Sequence, residues 1–161
     1  MVNHVSFQYS AVMDLPYEDD GHRHLRVPVF YETGNNSNLP VDFILDTGAY
    51  LTVLTKITAE LFGFDKLRPL ARNIPLTGFA GFKVSGDLLE IPTLLGDKRI
   101  EAKVVVPYVD TEDNILGLNV LEHFNYLIDN TNDKIYFADN TAYKANKNLM
   151  CSRVWSVSDT G

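Results

Sequence analysis

The sequence predicts a mainly β, single-domain protein, and three observations carry that expectation. Its apolar runs are short and rich in Val, Ile, Phe and Tyr, as strands require. Gly, Asn, Asp and Pro punctuate them at close intervals, and helical periodicity is confined to two short stretches. At 161 residues and 45% hydrophobic composition the chain can bury one sizeable core and is short for two.

The elements follow in chain order. Residues 25–32 (LRVPVFYE) read as a strand, 34–40 (GNNSNLP) as a turn, and 41–46 (VDFILD) as a second strand completing a hairpin. The run Phe43-Ile44-Leu45 suggests burial on both faces. Residues 55–64 (TKITAELFGF) place apolar side chains at Ile57, Leu61 and Phe64, with Gly63 near the end, and predict a short helix. Residues 71–95 read as two strands around a glycine-containing tip; Pro75 and Pro92 lack an N–H and should lie at an edge or a strand end. Residues 99–109 form another strand with a buried run from Val104 to Val106. A short amphipathic helix over 119–125 and a closing hairpin over 126–138, turning from Asn130 to Asp133, complete the domain.

Ahead of this, VSFQYS offers an edge strand that YEDDGHRH separates from the rest, and beyond Asp139 periodicity is lost, with Trp155 as the large apolar anchor. The expected division is an N-terminal extension at 1–24, a domain at 25–138 and a mobile tail at 139–161, with a partly docked tail as the alternative.

Several functional classes are disfavoured. A net charge of −7 opposes duplex nucleic-acid binding, which draws its affinity from Lys and Arg on phosphates. The opening MVNHVSFQYSAVMD lacks the basic start and apolar run of a signal peptide, and no stretch reaches the roughly 18 apolar residues of a membrane span. With one cysteine, Cys151, no intrachain disulfide can form, so the expectation is a soluble protein of the reducing cytoplasm without a membrane partner. His22-Arg23-His24 has no further ligands at metal-site spacing, and neither a metal nor another cofactor is expected. Asn35-Asn36-Ser37 matches a glycosylation acceptor in a turn, a pattern short enough to arise by chance.

The residue that carries chemistry is Asp46. It ends the apolar strand of VDFILDTGAYLTVL, where an unpaired buried carboxylate would cost several kcal/mol. Thr47 can hydrogen-bond within or across the following turn, Gly48 permits close backbone approach, and Ala49 leaves room. Taken alone, Asp-Thr-Gly reads more readily as an ordinary Asx turn with Gly48 supplying a positive φ.

The surroundings add three motifs in order: FILDTGA (43–49), TGFAGF (77–82) and ILGLNVL (115–121). Over residues 25 to 138 the chain thereby resembles the retropepsins, the retroviral-type aspartic peptidases, and their cellular and bacterial relatives. The resemblance implies a retropepsin-like acid-protease barrel with a flap hairpin and one or two short helices. It makes Asp46 one of two equivalent catalytic aspartates, places Thr47 in a hydrogen-bond network between subunits, and assigns Gly48 a backbone contact to substrate. Ala49 and Tyr50 would adjoin the substrate; Ile115, Leu116 and Gly117 would back the catalytic loop and line a subsite. Leu76, Thr77, Gly78, Phe79, Ala80 and Gly81 would form the flap that closes over bound peptide, with Leu76 and Phe82 packing beneath its tip. A plain surface β-turn is the alternative for that hairpin.

There are departures from the viral pattern. Tyr50 and Leu118 replace an acidic residue and an arginine that pair in the retroviral enzymes, and their joint loss points to a cellular or bacterial branch. Ala80 stands in place of a flap glycine, and the tail beyond Ala138 is longer than in viral members.

Peptide hydrolysis by this route needs one carboxyl to activate water and another to protonate the leaving amine, two carboxylates sharing a proton. One Asp-Thr-Gly has the apolar lead-in; Asp159-Thr160-Gly161 is a bare terminal match. The resemblance therefore implies a homodimer acting on a peptide or protein substrate. A retropepsin-like module that binds peptide or dimerises without cutting is the alternative of a different class. Neither a Gly-x-Ser-x-Gly turn nor a Cys-His context supports a nucleophile-based hydrolase.

Overall fold

The computed structural model describes residues 11–15, 21, 25–78 and 81–141. VSFQYS, His22-Arg23-His24, Phe79, Ala80, Cys151, Trp155 and the terminal Asp159-Thr160-Gly161 lie outside the described residues.

Strand β1 is Ala11–Asp14; β2 (Arg26–Glu32) and β3 (Asn38–Leu45) form the first hairpin, with Glu32 opposite Asn38. The turn is shorter than 34–40, because Asn36 takes φ +56° and Thr33 N–H donates to Ser37 O at 2.8 Å, so pairing resumes at Asn38. Further along are β4 (Thr52–Val53), α1 (Lys56–Leu61), β5 (Ala71–Thr77), β6 (Lys83–Leu95), β7 (Lys98–Pro107), β8 (Asn114–Leu116), α2 (Leu118–Leu121), β9 (Phe124–Asp129) and β10 (Lys134–Asp139).

Six strands close a ring in the order β2, β3, β8, β4, β7, β6, with Phe30 opposite Leu94 completing the circuit back to β2. Closure removes free edges and gives the alternation of a barrel: Val27, Val29 and Tyr31 of β2 are buried while their neighbours are not. Phe43, Leu45, Ile91, Ala102, Val104 and Leu116 complete that core. The β5–β6 hairpin continues from the barrel wall, and β1, β10 and β9 form a second, three-stranded sheet. Its inner face buries Ile135 and Phe137, the latter edge-on to Phe124 at 5.7 Å between ring centroids.

Three expectations need correction. The first helix stops at Leu61, capped by Thr55 Oγ1 accepting from Thr58 N–H; Gly63 (φ +74°) then turns the chain into a 3-10 helix, Phe64–Lys66. Ala59 is its buried residue, whereas Ile57 and Leu61 are 56% and 80% exposed, so the helix docks through its smallest side chain. The second helix has four residues, since Phe124 and Asn125 already belong to β9. Pro75 does lie on the edge strand β5, but Pro92 sits within the 13-residue β6. It is tolerated there because β6 pairs with β7 from Gly86 to Leu95, while on its other side β5 pairs only as far as Leu88 and β2 only at Leu94.

Candidate active site

The short strand β8 is inserted between β3 and β4: Ile44 and Leu45 pair in parallel with Ile115 and Leu116, and Val53 pairs antiparallel with Ile115. The connection from β3 to β4 is therefore a loop, residues 46–51, that must straddle the strand passing between its two ends. Asp46 begins that loop. Its N–H donates to Leu116 O at 3.0 Å, its carbonyl accepts from Ala49 N–H at 3.3 Å, and its Oδ1 accepts from Gly48 N–H at 2.8 Å. The Asx turn and the presented carboxylate are thus one structure. Among the described residues no Lys or Arg lies within ion-pair distance of Asp46, and the Gly48 N–H is the one donor to its carboxylate.

The loop is clamped from beneath by the turn that follows β8. Leu118 N–H donates to Ala49 O at 2.8 Å and Asn119 N–H to Tyr50 O at 2.9 Å. Gly117 is required by proximity: a Cβ there would lie 2.6 to 2.8 Å from Leu51 C, Leu51 O and Tyr50 O. The buried Thr52 completes the clamp. Its Oγ1 accepts from Gly117 N–H at 3.1 Å and donates to Asn119 Oδ1 at 2.8 Å, which also accepts from Thr52 N–H at 3.0 Å. Asn119 Nδ2 in turn donates to Lys103 O at 2.6 Å. Asn114 does the same at the other end of β8, donating to Asp42 O and accepting from Thr55 N–H. Thr52, Asn114 and Asn119 escaped the sequence reading; the available signal was two asparagines flanking the apolar ILGL segment.

The structure thus brings Asp46, Thr47, Gly48, Ala49 and Tyr50 together with Ile115, Leu116 and Gly117. Asp46, Ala49 and Ile115 are half-buried, Thr47 and Gly48 are exposed, and Tyr50 is 66% exposed. Leu116 and Gly117 are buried under the loop, which gives them the backing position. Thr47 makes no side-chain hydrogen bond among the described residues.

The hairpin residues form a second group. Thr77 pairs with Lys83, Gly78 N–H donates to Phe82 O at 2.7 Å, and Gly81 (φ +76°) donates to Gly78 O at 3.2 Å, a tight glycine-dependent tip. Leu76 is half-buried, Thr77, Gly78 and Gly81 are exposed, and Phe79 and Ala80 lie outside the described residues. Phe82 does not pack beneath the tip: it is 71% exposed, because the two-stranded arm offers it no surface to cover. Two surface clefts, of about 310 Å³ beside Phe64, Asp87 and Tyr108 and about 470 Å³ beside Leu39, Leu61 and Phe62, contain none of the predicted site residues. Among the described residues no helix is long and apolar enough to cross a membrane.

No family model matches the chain. Among solved structures, a retropepsin-like aspartic protease from Rickettsia conorii is similar at a TM-score of 0.57 and 25% identity, over 78% of this chain and 98% of that one. The retroviral protease-like domain of Ddi1 from Leishmania major is similar in fold, at a TM-score of 0.50 and 22% identity, over 73% of this chain and 96% of that one.

Proposed function

We infer that this chain, which belongs to the retropepsin-like family, is an aspartic endopeptidase whose active site is completed by a second copy of itself. The observation that carries this reading is the placement of Asp46. Its carboxylate sits on a loop whose underside is fixed by β8 and α2 and whose upper residues, Thr47 and Gly48, are open. A carboxylate held in place by backbone bonds, with no cationic partner among the described residues, suits a role toward water and substrate.

In the dimer, Asp46 of the two copies would share one proton. The ionised carboxylate takes a proton from water as the water oxygen attacks the peptide carbonyl. The protonated one hydrogen-bonds the carbonyl oxygen, and collapse of the tetrahedral adduct breaks the C–N bond as a proton passes to the leaving nitrogen. Thr47 serves the contact between copies, Gly48, Ala49 and Tyr50 border an extended peptide, Ile115 lines a pocket, and Leu116 and Gly117 back the loop. The 76–81 hairpin closes over the substrate.

The test is cleavage of an unbiased peptide library by the wild type and by Asp46→Asn, with sedimentation on both. Loss of cleavage with the dimer retained supports the assignment. Binding of peptides without cleavage, unaffected by Asp46→Asn, would instead establish a non-catalytic peptide-binding module. Specific activity should also fall on dilution as dimers dissociate and recover on concentration; a monomer of constant specific activity overturns the shared site.

A further inference from the structure

The β5–β6 hairpin leaves the barrel at a definable point. From Gly86 to Leu95, β6 is paired with β7, but Lys83, Val84 and Ser85 pair in the ladder only with β5. The last contact with β7 is Tyr108 N–H donating to Ser85 O at 2.9 Å, just past the end of that strand. Beyond it the hairpin is a two-stranded ribbon. Such a ribbon bends where it loses its third strand, since one ladder must then resist what two resisted before.

Four features converge there. The β5 ladder slips by one residue between Ala71, opposite Leu88, and Ile74, opposite Gly86, so Arg72 and Asn73 share a bulge. Asn73 sits at φ +56°, a left-handed conformation that takes its N–H out of the ladder. Gly86 passes so close to β7 that a Cβ would lie 2.3 Å from Val106 O. The fourth feature is Tyr108, whose hydroxyl accepts from Asn73 N–H at 2.9 Å and donates to Asp87 Oδ1 at 2.6 Å. Asp87 Oδ2 lies 3.7 Å from Arg72 Nη1, so both bulge residues are tied to one phenol–carboxylate pair. The tyrosine comes from β7's continuation, the carboxylate from β6 and the bulge from β5; one hydroxyl joins all three.

We propose that Tyr108 is a positioning residue that latches the root of the 71–86 hairpin, fixing the angle at which the ribbon leaves the barrel. Without its hydroxyl the bulge amide loses its acceptor and Asp87 its donor, and the ribbon hinges about Gly86. For activity the inference rests on the peptidase reading, in which this ribbon covers the substrate. The ribbon's own stability does not.

The experiment is amide hydrogen exchange on the full chain with Tyr108→Phe, which keeps the ring, and Asp87→Asn, which keeps an acceptor for the hydroxyl. In Tyr108→Phe, exchange should accelerate roughly tenfold at Asn73, Ile74, Leu76 and Thr77 and across residues 83–85, while β7 up to Val106 stays protected. Asp87→Asn should stay near wild type. Acceleration confined to Asn73 would mean a local bond without a hinge and overturns the latch. Equal loosening by Asp87→Asn would assign the restraint to the Arg72 ion pair and overturn it equally. In peptide cleavage, Tyr108→Phe should raise KM several-fold with kcat within about twofold, because the ribbon is misplaced while the Asp46 loop is untouched. An unchanged KM beside loosened exchange removes the link to substrate. Absence of cleavage by the wild type refutes the peptidase reading and leaves the exchange result to decide the latch.

Discussion

The loop of Asp46 and the β5–β6 hairpin both carry glycines and both belong to the proposed site, yet they are built in opposite ways. Within residues 46–52 the backbone is bonded to Leu116, Leu118 and Asn119, chain segments more than 60 residues away, and the side chains of Thr52 and Asn119 fill what the backbone leaves. The hairpin beyond Ser85 is bonded chiefly to itself. Its glycines differ accordingly. A Cβ at Gly117 would meet backbone atoms at 2.6 Å, whereas at Gly78 it would meet only Phe82 O at 3.7 Å, ordinary contact. On the proposed reading, a floor that must hold a carboxylate still is interlocked with the barrel, and an arm that would admit a peptide is attached at its root only.

The largest expected effect comes from the chemistry the floor presents. Asp46→Asn should lower cleavage by on the order of 10²–10⁴-fold with little change in melting temperature, since Asn can still accept the Gly48 N–H bond. Mixed in excess with wild type, it should suppress activity by forming heterodimers with a defective pair. Residual activity near wild type would remove Asp46 from the mechanism.

The next contrast is steric. Gly117→Ala should cost about 1–3 kcal/mol or prevent folding, because the contacts are backbone on both sides and cannot yield as a side chain does. Gly78→Ala should leave stability within about 0.5 kcal/mol. Paired denaturation curves check both, and equal losses would erase the distinction between floor and arm. Thr52→Val belongs with the floor: it preserves shape but leaves the buried Gly117 N–H without its acceptor. A loss of about 1–3 kcal/mol is expected, together with reduced kcat because the clamp loosens under Asp46.

Much of this architecture was legible because it is local. The β2–β3 hairpin, the two strands around a glycine tip and the turn from Asn130 to Asp133 are each dictated by residues a few positions apart. Asp46 stood out in the sequence as a carboxylate closing an apolar strand; the structure places it half-buried at the start of the loop, one residue past β3. The strands β4 and β8 were not, being two and three residues long; they exist only because β8 threads between partners remote in sequence. Thr52 and Asn119 are 67 positions apart, so their hydrogen bond has no local signature. Ile57 and Leu61 correctly pointed to a helix, but not to how it docks: a six-residue helix capped at Thr55 buries Ala59 and turns them to solvent.

A small effect on stability is also expected at the end of the arm. Gly81 takes φ +76° at the tip, with nothing within 4 Å of where a Cβ would stand, so Gly81→Ala meets backbone strain but no collision. The strain of a left-handed alanine is roughly 1 kcal/mol, and a two-stranded ribbon attached only at its root can relieve part of it by opening the Gly81 N–H bond to Gly78 O, 3.2 Å long. Global unfolding should therefore shift by less than about 1 kcal/mol. On the peptidase reading activity should be more sensitive, because the tip's shape would govern how closely its backbone approaches a peptide; Gly78→Val with Gly81→Val, adding β-branching at both ends of the turn, should reduce turnover further while the core stays folded. Exchange protection in β2 and β7 checks that the barrel is intact. Unchanged kinetics in the double variant would make 77–82 a surface turn and leave the floor as the whole of the site; a large loss of global stability in Gly81→Ala would show that the arm is packed like the floor.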